Sequence, residues 1–146
     1  MNISFGNKSV EETDELKLDF TKLKANSRGA GVIPVAVQDA ATGEVVLIAY
    51  TNEVAFNETV KTKKAAFWST SRNELWRKGE ISGNTFTVKS IYVNCEQNSL
   101  VYKVTPDKGG ICHTEQNGAA NNCFYRELDF QTRKLILRRE ERRGDV

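Results

Sequence analysis

A single α+β domain dominated by antiparallel strands, with one main helix, is predicted by three observations on this 146-residue sequence. Short apolar runs of strand length recur along the chain, separated by turn residues. Only one segment, just after Tyr50, places apolar residues at helical spacing. No internal repeat or linker-like stretch divides the chain, and its length suffices for one buried core. Hydrophobic residues at 39% and charged residues at 27% are ordinary for a soluble globular protein.

The elements follow in chain order. Residues 1–17 are polar and charged and read as a mobile N-terminal segment, ahead of a short docking piece anchored by Leu18, Phe20 and Leu23. Val32 to Val37 is a strand, and Pro34 within it points to an edge position. Ala41-Thr42-Gly43 turns the chain, and Val45 to Tyr50 returns as a second strand covered on both faces. Thr51 or Asn52 caps a helix that has Glu53 in its first turn. Val54, Ala55, Phe56 and Val60 form its apolar face, up to about Lys63. Ala65 to Trp68 is a further strand, and residues 69–84 are a polar, glycine-bearing loop. Thr85 to Val93 and Leu100 to Thr105 alternate as a hairpin around a polar knot. Residues 106–122 are loop, and Cys123 to Phe130 is the last strand. The domain is expected over residues 18–130, with 131–146 as a basic tail.

Charge and hydropathy exclude several function classes. A net charge of +2 does not call for nucleic acid or an acidic membrane. The tail carries six basic residues between Arg133 and Arg143, but Glu140 and Glu141 interrupt it and no aromatics are interleaved. A solvated helix or frayed terminus is the expected state there, not a nucleic-acid arm. No apolar run approaches the ~20 residues of a membrane span. The first residues lack the basic and apolar regions of a signal peptide. The expected location is the cytoplasm.

Three cysteines, Cys95, Cys112 and Cys123, make no disulfide framework and are expected as buried residues, reactive thiols or metal ligands. Thiolates bind zinc well, and three protein ligands with one open position is a catalytic rather than a structural arrangement. The gaps of 16 and 10 intervening residues match no zinc-finger pattern. His113, beside Cys112, is the only histidine, so any imidazole acid or base must be this residue. A second constellation, FWSTSRNELWRKGEISGN, spans residues 67–84. Its Ser69, Thr70, Ser71, Arg72, Lys78, Ser82 and Gly83 supply hydroxyls, a cationic fork and exposed amides suited to phosphate. Trp76 could stack on a base, although an aromatic beside a strand is more often core. The same block also reads as a plain polar loop, since it contains no P-loop motif.

Together with IPVAVQDAATGEVVLIAYTNE, GGICHT and CFYR, this block resembles the phosphoribosyl-AMP cyclohydrolase family, from Leu18 to Arg126. The resemblance implies an intertwined homodimer with zinc at the subunit interface, each ion held by Cys112 and Cys123 of one chain and Cys95 of the other. It implies hydrolytic opening of the adenine ring of N1-(phosphoribosyl)-AMP, by water addition at C6 and cleavage of the N1–C6 bond. His113 would assist proton transfer, while residues 69–72 and 77–83 would hold phosphate and ribose. Members of the family usually carry Asp-Cys-Asp-x-Asp where this chain has Asn94-Cys95-Glu96-Gln97-Asn98. Magnesium favours charged oxygen ligands. A knot of Asn94, Glu96 and Asn98 is therefore expected to be a weakened or abandoned magnesium site. The loop HTEQNGAANN between Cys112 and Cys123 is longer than usual and carries Glu115 where a glycine is common. A relative acting on another cyclic amidine, or a non-catalytic zinc dimer that binds a nucleotide, are the alternatives.

Overall fold

The computed structural model describes residues 10–24, 31–108, 115–116, 119–120 and 122–137. After a 3-10 turn at Val10–Glu12, the strands are β1 (Leu23–Lys24), β2 (Gly31–Asp39) and β3 (Val45–Thr51). Helix α1 (Glu53–Thr62) leads to β4 (Ala66–Ser69), β5 (Glu74–Arg77), β6 (Phe86–Val93) and β7 (Leu100–Pro106). Short strands β8 (Glu115–Gln116), β9 (Ala119–Ala120), β10 (Arg126–Leu128) and β11 (Leu135–Leu137) complete the order.

Strand β2 is the spine. It pairs antiparallel with β1 and β3 and parallel with β7, which in turn carries β6 antiparallel. The edge position expected from Pro34 is thus corrected to a central one. The strand accommodates a proline because its ladder with β7 begins one residue later, at Val35↔Leu100. Val35, Val37, Phe67, Phe86, Tyr102 and Val104 fill the core, each without measurable exposure. Phe67 packs between Trp76 and Tyr102, with ring centroids 5.6 and 6.0 Å away. Among the described residues the buried Tyr102 hydroxyl finds no well-formed hydrogen bond. Burial pushes its pKa up to about 12, only partly offset by the nearby Thr51 and Thr59 hydroxyls.

The helix starts where its cap was expected: the Asn52 side chain accepts the Ala55 N–H at 3.0 Å. Lys63 ends it in the left-handed conformation. Its buried face differs from expectation, being Ala55, Phe56 and Thr59, while Val54 and Val60 are exposed. Thr59 replaces a valine in the core because its hydroxyl is tied to the backbone of Ala55 and Ala66.

Two further corrections concern regions expected to be irregular. Glu74–Arg77 is a strand, paired with β4 so that Phe67 faces Trp76. The tail is neither helical nor frayed at its start, since β11 folds back antiparallel on β10. That hairpin leaves Leu128, Leu135, Ile136 and Leu137 exposed. No described helix is long and apolar enough to cross a membrane.

Asp107 ties the end of β7 to β6 and to the chain following α1. Its carboxylate accepts from Lys64 Nζ at 2.8 Å, Thr87 Oγ1 at 2.6 Å and Thr85 Oγ1 at 2.7 Å. The Lys64 bond foremost, then that from Thr87, lowers its pKa from 3.8 to about 2. Because the folded value lies below the ordinary one, this stabilisation is complete above about pH 4 and is lost as pH falls toward 2. Urea melts of the wild type and Asp107→Asn at pH 6 and pH 2 should show a gap at the higher pH that closes at the lower.

Candidate active site

The β4–β5 hairpin and the loop after it form one wall of a cleft of about 380 Å³. Arg72, Trp76, Lys78 and Ser82, all sequence candidates, line it, and Cys123 and Leu47 close the other side. Ser69, Thr70, Ser71 and Gly83 do not line it. Ser69 instead shapes the hairpin turn, its Oγ accepting the Arg72 N–H at 3.2 Å. Asn84 and Glu74 line the cleft and were not sequence candidates.

The charges in this cleft have distinct roles. Arg72 pairs with Glu74 at 3.3 Å, and both side chains are well exposed. Such a pair contributes little stability, so an incoming anion can take the guanidinium at small cost. Arg77 reaches across to Glu58 of α1 at 3.2 Å. Lys78 is buried, with its ammonium donating to the Asn84 carbonyl at 3.0 Å and lying 4.6 Å over the Phe86 ring. It clamps the loop from Gly79 to Asn84, a structural duty in the cleft wall.

The loop has little conformational choice. Gly83 N–H bonds the Gly79 carbonyl at 2.7 Å, and both glycines have φ of +82°. A Cβ on Gly79 would stand 2.2 Å from the Asn84 carbonyl carbon.

Cys95 lies elsewhere in the same chain. It is exposed at the knot between β6 and β7, on a second cleft of about 300 Å³ shared with Glu11, Asp14 and Leu16. Among the described residues no three His, Cys, Asp or Glu side chains converge on one point. Cys112 and His113 lie outside the described residues, and Glu115 is placed only as part of β8. A soft thiolate set suits zinc, and the two described thiols each open onto a cleft. One chain presents them on different clefts.

The knot itself is closed by its own side chains. Asn94 Oδ1 accepts from the Asn98 and Ser99 N–H groups, both at 2.9 Å, while Asn94 Nδ2 donates to Asn98 Oδ1 at 2.6 Å. Asn98 Nδ2 donates to Glu96 at 3.0 Å, and Lys22 lies 3.6 Å from the same carboxylate. Oxygens already engaged by amides and an ammonium are a poor fit for a magnesium ion, which demands several at octahedral positions. Gln97, buried with φ of +54°, fastens the N-terminal segment: its amide donates to the Glu15 carbonyl at 3.0 Å and accepts the Lys17 N–H.

The phosphoribosyl-AMP cyclohydrolase family model matches residues 47–125, which include most of β3, α1, the cleft wall, the knot and all three cysteines. Phosphoribosyl-AMP cyclohydrolase from Methanothrix thermoacetophila is 48% identical over 98 residues, 67% of this chain and 77% of that protein. The enzyme of the same name from Cenarchaeum symbiosum is 45% identical over 77% of this chain and 94% of its own. The histidine biosynthesis bifunctional protein HisIE of Thermus thermophilus is 46% identical over 76% of this chain, but the match spans only 49% of that longer protein. With such matches across the cleft, the knot and the thiols, this chain belongs to the phosphoribosyl-AMP cyclohydrolase family.

Proposed function

We propose that this protein is a zinc-dependent hydrolase of histidine biosynthesis that opens the adenine ring of N1-(phosphoribosyl)-AMP at the N1–C6 bond. The observation that carries this reading is the cleft that brings Cys123 together with Arg72, Arg77 and Trp76. Family membership makes the enzyme class a hydrolase acting on a cyclic amidine C–N bond. Zinc would be held by Cys112 and Cys123 of one subunit and Cys95 of the partner subunit, and when bound it supplies Lewis acidity that lowers the pKa of water toward ~7. Arg72, released from its exposed pair with Glu74, binds phosphate together with Ser82. Trp76 stacks on the base, and His113 carries the proton to the departing nitrogen. Two facts support a homodimer: the thiols open on different clefts of one chain, and the β10–β11 hairpin exposes an apolar strip that a second copy would cover.

The knot favours a departure from magnesium. Its amide network leaves Glu96 as the sole carboxylate, already beside Lys22. The purified protein should therefore contain zinc and consume phosphoribosyl-AMP, followed by ultraviolet absorbance, at a rate unchanged by Mg²⁺ titration. A tenfold rise in rate with Mg²⁺ would return the second metal to the scheme. Zinc without turnover would move the reading to another cyclic amidine.

A further inference from the structure

Cys123 owes its place in the cleft to its neighbour. Asn122 is buried, at 3% exposure, although it precedes an exposed surface segment. Its Nδ2 donates to Glu44 Oε1 at 2.8 Å and to the Val45 carbonyl at 3.3 Å, and its Oδ1 accepts the Phe124 N–H at 2.7 Å. Between these anchors the Cys123 N–H donates to the Val46 carbonyl at 3.2 Å. Three consecutive residues are thus stapled to Glu44 and the start of β3, whose Val46 lies in the core. A buried amide with donor and acceptor both used specifies one arrangement, because any other would strand polar groups away from water.

We infer that Asn122 is a positioning residue for the thiol site: through Glu44 and the start of β3 it fixes Cys123 against the cleft wall in the orientation that the metal requires. This inference rests on the zinc reading of Cys123. Such outer partners orient a ligand before the metal arrives, and losing one typically costs about 10–100-fold in metal affinity. The Glu44 contact makes the inference specific. Asn122→Asp keeps the acceptor for Phe124 but sets a carboxylate against that of Glu44, and Glu44→Gln in the same chain restores a donor between them.

The test measures zinc affinity by competition with a chromophoric chelator for the wild type, Asn122→Asp, and the double variant Asn122→Asp/Glu44→Gln. Alongside it runs the rate of Cys123 alkylation by iodoacetamide in zinc-free protein whose Cys95 and Cys112 are serine. The expected result is a loss of about 10–100-fold in affinity for Asn122→Asp, faster alkylation of Cys123, and recovery of both in the double variant. Wild-type affinity and wild-type alkylation in Asn122→Asp would overturn the inference, as would a defect that Glu44→Gln leaves unrelieved. If the wild type holds no zinc, the zinc reading fails by itself and alkylation decides the placement: faster in Asn122→Asp supports it, unchanged overturns it. Should Asn122→Asp fold poorly, Asn122→Ser alone carries the affinity and alkylation measurements without adding charge, with the same results expected and the same results overturning the inference.

Discussion

Replacing Cys123 with serine is expected to empty the proposed zinc site and reduce phosphoribosyl-AMP turnover far beyond the roughly 100-fold cost of losing an outer-shell partner. Serine keeps the size of the side chain but offers a hydroxyl that zinc accepts poorly in place of thiolate. The fold should survive, since Cys123 is only half-buried and its backbone bond to Val46 does not involve the sulfur. Cys95→Ser should give the same phenotype, although Cys95 opens on the other cleft of the same chain. A site within one chain would share that phenotype, so mixing the two variants separates the arrangements. Dissociating and mixing the two inactive variants should then restore about a quarter of wild-type activity, since about half of the reassorted dimers hold one intact site each. No recovery on mixing would place each zinc within a single chain. Full zinc content in either variant would remove that thiol from the ligand set.

The strands of the body were legible because alternation and short apolar runs are properties of neighbouring residues: Val45–Thr51 and the pair around the knot appear within a residue or two of their expected bounds. The Asn52 cap was legible for the same reason. The buried face of α1 was not. Hydropathy favours Val60 over Thr59, and besides the Ala55 carbonyl one turn back the Thr59 hydroxyl finds partners on Ala66 that only the tertiary fold brings near. Strand β5 was missed because Glu74 and Arg77 are exposed at its ends, and its strand character comes from pairing with β4. In the site, Arg72, Trp76, Lys78 and Ser82 were found together because they are close in sequence. Their separate roles were hidden, since the commitment of Lys78 to the Asn84 carbonyl depends on how the loop closes. The route of Cys123 to the same cleft was hidden as well, because Asn122 finds its partners at Glu44 and Val45, where β3 begins, 78 and 77 residues away. Local chemistry thus showed in the sequence, while convergence depended on tertiary contacts.

Gly79→Ala is expected to remove substrate binding while leaving the body of the domain folded. A Cβ at this position would sit 2.2 Å from the carbonyl carbon and 2.3 Å from the oxygen of Asn84, and 2.4 Å from the Thr85 nitrogen. These are backbone atoms, so no rotamer change relieves the clash, and φ of +82° adds about 1–3 kcal/mol of strain for any residue with a side chain. The loop must open. Opening it separates the Asn84 carbonyl from the Lys78 ammonium and breaks the Gly79–Gly83 bond, so the wall that carries Ser82 loses its shape. The damage should stay local, because β5 before the loop and β6 after it are held by their own pairings. Kinetics should therefore show kcat/KM lowered by roughly 100-fold or more, the scale expected when positioning is lost by about 1 Å. Far-ultraviolet circular dichroism should remain that of the wild type. Gly83→Ala is the internal comparison: the same φ, but its Cβ would meet only the flexible Lys108 side chain, 3.2 Å from Nζ. It should carry the conformational strain without the backbone clash, and so a much smaller loss of kcat/KM. Equal effects at the two glycines would mean that left-handed strain alone governs the loop, and that the Lys78 clamp contributes nothing to binding.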